Sequence, residues 1–160
     1  MPQSVNIQYT GYTPKMKRSE QNTILRESYT DLGQHFIDTN LPRRFTVQGA
    51  RMLGYTQRSP GYQKRKKRLF GHQLPLVFTG RTRQRALSSL TRISARATKG
   101  QGRLELRLSV PALNLRNRGA NLREQFERIA DREIGPLERK LEQSASHRFE
   151  QYNQTQTFKG

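Results

Sequence analysis

An α+β fold, with a small antiparallel β-sheet packed against two helices, is what three periodicities in this chain predict. Ile24, Leu25, Tyr29, Leu32 and Phe36 recur at helical spacing and form one apolar face. Leu104, Leu106, Leu108 and Val110 alternate with polar residues, as on one face of a strand. Leu122, Phe126, Ile129, Leu137 and Leu141 again share one side of a helix, this one long and C-terminal.

Taken in order, residues 1–18 read as an N-terminal arm whose segment Ser4–Tyr9 alternates like a short strand before Gly11 and Pro14. A single α+β domain is expected over residues 19–150. Its first helix runs from about Ser19, a suitable N-cap, to Asp38, and Asn40 with Pro42 closes it. A second short helix fits Leu41–Met52, anchored by Phe45 and Met52. Residues 54–75 are rich in Gly, Pro, Tyr and basic side chains and read as an extended basic loop or arm. Arg83–Lys99 starts as a helical turn and runs into a strand over Thr91–Thr98. Lys99-Gly-Gln-Gly102 signals a hairpin, although not one of the two-residue Asn-Gly type, into a strand over Arg103–Val110. Asn121 caps the long helix, which Gly135-Pro136 kinks or restarts because proline lacks the backbone donor. From Tyr152, and over 151–160 as a whole, a polar, flexible tail is expected.

Charge is distributed more unevenly than apolarity. From Thr39 to Leu104 the chain holds sixteen Lys and Arg residues and no Asp or Glu. Residues 1–38 carry four basic and four acidic residues, and residues 105–160 carry ten and eight, so nearly all of the +18 net charge falls in the central block. Such a block repels itself unless a polyanion lies against it, and a phosphate backbone or an acidic protein surface would serve. Of the 30 basic residues 22 are Arg. That bias favours fixed, forked contacts over diffuse attraction.

Only 32% of residues are apolar, where globular domains usually reach roughly 45–50% on a count that includes Gly. The core is therefore small, and part of the chain is expected to order only in an assembly. With no Cys and three scattered histidines (His35, His72 and His147), neither disulfide nor thiolate chemistry nor a metal cluster is expected. No run resembles a signal peptide or a membrane span, so an intracellular product is expected.

Two groups are candidates for contact with nucleic acid or an acidic partner. Lys64, Arg65, Lys66, Lys67 and Arg68 form the densest run, flanked by Tyr62 and by Leu69-Phe70, so bases could stack on the aromatics while the cations follow phosphates. Its ordinary alternative is a solvated basic loop. Arg81, Arg83 and Arg85 line one face if extended, whereas Arg81 and Arg85 still stack at i, i+4 if helical. The carboxylates of the C-terminal helix pair with cations at helical spacing, Arg123 with Glu127 and Glu124 with Arg128, as in a solvent-facing ladder rather than an acid/base site. No catalytic, cofactor or metal residues stand out, and no enzyme is expected.

Phe45-Thr-Val-Gln-Gly-Ala50, Leu53-Gly-Tyr55, Arg58-Ser59, Tyr62 and Lys66 lead to Pro75-Leu-Val-Phe-Thr-Gly-Arg-Thr-Arg83. This stretch resembles the tail-completion, or neck, proteins of tailed bacteriophages, in which a Pro, a few residues and then Thr-Gly-Arg-Leu-Arg or Ser-Gly-x-Leu typically open the sheet. Pro75, Thr79, Gly80, Arg81 and Arg83 match that pattern, and Thr82 replaces its Leu. The resemblance implies a virion structural protein without enzymatic activity, located in the neck or tail and assembled in the host cytoplasm. It implies a sixfold or twelvefold homo-oligomeric ring that joins the portal, or connector, to tail proteins, away from any membrane, with non-specific contact to genomic DNA in the channel. The competing expectation is a stand-alone basic nucleic-acid-binding protein of ribosomal or chromatin-like type. A packaging or scaffold-associated factor is a third.

Overall fold

In the computed structural model, residues 16–77, 80–88, 92–108, 116–117 and 120–157 are described, and the strand expected over Ser4–Tyr9 lies outside them. The architecture is α+β, and mostly helical. Helix α1 (Arg18–His35) continues through a π-helical turn (Phe36–Asn40) into α2 (Leu41–Arg43). Then come α3 (Val47–Met52), α4 (Pro60–Phe70), α5 (Arg81–Ala86), the hairpin β1 (Arg92–Thr98) and β2 (Gln101–Arg107), the short pair β3 (Arg116–Asn117) and β4 (Ala120–Asn121), α6 (Leu122–Glu127) and α7 (Asp131–Thr157). The chain divides into two compact units. One comprises Met1–Phe36, Ile93–Leu106 and Asp131–Gly160, and the other Ile37–Arg92 and Arg107–Ala130.

The first unit is built on α1 packed against α7. Its core is the expected face of α1, where Ile24, Leu25, Tyr29, Leu32 and Phe36 are buried, with Leu137, Leu141, Ala145 and Phe149 at intervals of four along α7. Lys17 rather than Ser19 is the N-cap, and the Glu20 carboxylate accepts from the Lys17 amide at 2.9 Å. The helix does not close at Asn40-Pro42. Pro42 sits within the first turn of α2, the helical position that tolerates proline best, and the helical path continues.

Two glycines set the hairpin against α1. A Cβ at Gly102 would stand 1.8 Å from Cε2 of Tyr29, and one at Gly33 would stand 2.8 Å from Cγ2 of Ile93, so bare backbone is what admits these side chains. The turn itself differs from expectation. Lys99 and Gly100 alone connect β1 to β2, with φ of 55° and 79°, the two positive angles of a type I′ turn. Lysine occupies the place where asparagine is usual. The Gly100 amide donates to the Asn22 side chain at 3.2 Å, which ties the turn to α1.

The C-terminal helix also departs from the pattern. Rather than one helix from Asn121, α6 ends at Glu127, Arg128 is extended (ψ 131°), and α7 starts afresh at Asp131. Pro136 neither starts nor ends it. Proline's missing amide withdraws one bond from the carbonyl of Arg132, an exposed residue that water can serve. Residues 152–157 belong to α7 rather than to a flexible tail, and the Tyr152 hydroxyl donates to Glu20 at 2.6 Å beside Ile24, Ala145 and Phe149.

An ion-pair clasp joins α1 to α7. Arg148 donates through Nη1 to Glu27 at 2.6 Å and through Nη2 to Asp31 at 2.8 Å, and Ser144 Oγ donates to the same Asp31 oxygen at 2.6 Å. Partial burial alone would raise the Asp31 pKa, but the hydrogen bonds from Ser144 and Arg148 outweigh it and hold the carboxyl below its ordinary value. A depressed folded-state pKa stabilises above the unfolded value and is lost as pH falls through the folded one. The wild type is therefore expected to lose thermal stability below about pH 4, and Arg148→Met to lose less of it over the same range. Melts recorded from neutral pH downwards check this. Solvent screening of the half-exposed pair keeps the increment modest.

Candidate polyanion interface

The second unit holds the basic block. Counted over its residues, 18 are Lys or Arg and 3 are Asp or Glu, a net +15, whereas the first unit has 12 and 9, a net +3. The two units are of equal length, so the excess charge belongs to one of them.

The stretch expected to be an extended arm over residues 54–75 contains α4 instead. Ser59 caps it by accepting from the Tyr62 amide at 3.3 Å, Pro60 occupies the first turn, and Gly71 closes it in the left-handed region with φ of 71°. Lys, Arg and Gln between these caps are good helix formers. An Arg58 guanidinium 5.3 Å from the centre of the Tyr62 ring joins the entry of α4 to its first turn.

Helical geometry sorts the basic run. Lys64, Arg65, Lys67 and Arg68 are exposed, but Lys66 is buried, with 5% of its surface accessible, and its ammonium donates to the carbonyl of Leu74. Burial lowers its pKa, and the charge of Arg58 adds to that effect. Lys66 thus pins the chain beyond Gly71 back onto α4 and is withdrawn from the expected contact set. Its neighbours at i−4 and i+4, Tyr62 and Phe70, are also half-covered, and Phe70 lies 6.3 Å from His72. The interleaved aromatics therefore turn inward with Lys66 and leave the cationic face without a stacking platform.

Arg81, Arg83 and Arg85 are exposed on α5, whose N-cap is Gly80 at φ of 80°. The helical alternative holds. Arg81 and Arg85 share one side and Arg83 faces away, so the three do not form one row. The Pro-to-Arg motif does not open a sheet here. Pro75 lies in a turn, Thr79 is outside the described residues, and Gly80 to Arg83 lead into a helix, with β1 beginning only at Arg92.

Arg44 was not legible as anything but one more surface cation. It is 1% exposed and donates through Nη1 to the carbonyls of Phe126 at 2.6 Å and Arg128 at 2.7 Å, with its guanidinium 6.0 Å from the Phe126 ring centre. Two carbonyls at the C-terminus of α6 thereby meet a cation where the helix dipole is negative. Arg44 thus supplies a donor to carbonyls that the end of α6 leaves without helical partners. Around Arg44 the unit's core comprises Leu41, Phe45, Leu53, Val77, Ala86, Phe126 and Ala130. Of the two expected anchors, Phe45 is buried, and Leu53 takes the place of the half-exposed Met52.

Among the described residues no group of three His, Cys, Asp or Glu side chains is placed to hold a metal ion. No helix among them is long and apolar enough to cross a membrane. On α6 the pair Arg123–Glu127 forms at 2.8 Å on the surface. Comparison with family models, curated proteins and solved structures returns no match.

Proposed function

We propose that this chain is a structural protein of a tailed-phage virion, a neck or tail-completion subunit that forms a ring of six or twelve copies between connector and tail and contacts the genome without reading its sequence. The observation that carries this reading is the segregation of charge. The unit containing every residue of the neck-like stretch, Phe45 to Arg83, also carries the net +15. Seven of its exposed cations, Lys64, Arg65, Lys67 and Arg68 on α4 and Arg81, Arg83 and Arg85 on α5, sit on helices, so they are held in place rather than diffuse. Repeated around a ring, they form a positive collar suited to a phosphate backbone, whose contacts position without specifying sequence. The nearly balanced unit, with charges paired as in the Arg148 clasp, supports packing at close quarters with other copies.

Native mass spectrometry at low and then high salt, with and without duplex DNA, tests the reading. A discrete six- or twelvefold ring that persists without DNA is expected. A monomer that binds DNA with steep salt dependence would replace it with a stand-alone nucleic-acid-binding protein. A monomer indifferent to DNA, and absent from purified particles, would leave an assembly factor.

A further inference from the structure

We infer that α4 docks lengthwise in the major groove of duplex DNA, with Arg65 and Lys67 gripping the phosphates of opposite strands. This deepens the DNA contact in the proposal above and rests on that contact, but not on ring formation. At about 100° per residue, Lys67, Lys64, Arg68 and Arg65 follow one another around an arc of about 160°. Pro60 and Gly61 lie exposed on the same side, and Leu69, 52% exposed, marks its edge. The opposite side, Tyr62, Gln63, Lys66 and Phe70, is covered or half-covered. Close to half of the helix circumference is therefore free and cationic.

That arc decides between partners. A flat acidic protein surface meets one side of a helix and would leave either Lys67 or Arg65 facing solvent. A groove has two charged walls. The major groove is about 12 Å wide and a helix with its side chains about 10–12 Å across, so cations on both flanks reach phosphates together. The 11 residues of α4 give a rod of roughly 16 Å, long enough to follow several phosphates on each wall. Lys64 and Arg68 then face the groove floor, where small Pro60 and Gly61 permit close approach. No acidic side chain lies on α4 to oppose the anion. Single-stranded nucleic acid is the weaker fit, because it is held largely by stacking on aromatics. Tyr62 and Phe70 lie on the covered side, against Arg58 and His72 respectively.

The test uses the full chain and fluorescence anisotropy with a labelled duplex of roughly 20 base pairs, two helical turns. A single strand of equal length and polyglutamate serve as competitors, between about 0.05 and 0.2 M salt. Arg65→Gln and Lys67→Gln are each expected to reduce the slope of log affinity against log salt by about one, and together by about two, whatever the duplex sequence. Lys66→Met, on the covered side, and Arg26→Gln, exposed in the other unit, are expected to leave the slope unchanged. All four positions are read alongside melting curves, so a folding defect is seen separately. Unchanged slopes in both glutamine variants would overturn the docking, as would a change in only one of them. A single strand or polyglutamate that competes as well as duplex would overturn it too. Because the mass of the protein without DNA is measured independently, a monomer that grips duplex in this way removes the ring and keeps the groove contact.

Discussion

Phe126→Ala is expected to lower the unfolding free energy by about 3–5 kcal/mol, the usual range for emptying a fully enclosed aromatic site. Its ring has no exposed surface and lies 5.2 Å from that of Phe45, centroid to centroid, at an interplanar angle of 52°. Such tilted pairs add roughly 0.5–1.5 kcal/mol beyond burial. Little else can fill the gap. The other core side chains of this unit are aliphatic or small, and Arg44 is tethered by two carbonyls. Urea titration checks the figure, and an unshifted midpoint would show that the core lies elsewhere. A double cycle with Phe45→Ala should recover the pair energy as non-additivity.

Helical spacing picked out Phe126 but placed it wrongly. The period is the same on both sides of residues 128–130, so Phe126 and Leu137 read as one stripe, whereas they belong to separate helices in separate units. The break is met by a long-range contact from Arg44, 82 residues away in sequence from Phe126, and local pattern carries no trace of it. On α1 the reverse holds. Its apolar face and its neighbours along α7 were readable because i, i+4 burial is a local property that tertiary structure only had to accept. The basic run was misread for a third reason. Its charge density overshadows Ser59-Pro60 and Gly71, which are start and stop signals for a helix. On a helix over Pro60–Phe70, Tyr62, Lys66 and Phe70 fall on one side at i, i+4 spacing, which is the signal for the inward turn of Lys66. The hairpin at Lys99-Gly100 is legible in the sequence, but its two-residue type is not, because lysine rarely adopts positive φ.

Arg44→Met is expected to cost about 2–4 kcal/mol, against less than about 0.5 kcal/mol for Arg43→Met at the exposed neighbouring position. Two effects oppose each other. Removing a buried guanidinium recovers the cost of taking its charge from water, and a methionine of similar volume would then pack well. Against that, the carbonyls of Phe126 and Arg128 lose a charged donor at 2.6 and 2.7 Å, and the first of these lies in the interior. Each such bond contributes roughly 1.5–3 kcal/mol, and a buried acceptor left without a donor costs more than the new contacts return. The orphaned carbonyls therefore decide the sign. Arg44→Lys keeps the charge but lacks the planar fork, so it should fall between wild type and Met. Urea melts of the three variants order them. If Arg44→Met were as stable as the wild type, the two carbonyls would not depend on the guanidinium for a donor. Because Arg44 is enclosed, the salt slope of DNA binding by folded Arg44→Lys should match wild type, in contrast to Arg65→Gln. That contrast separates the cations that build the unit from those it presents.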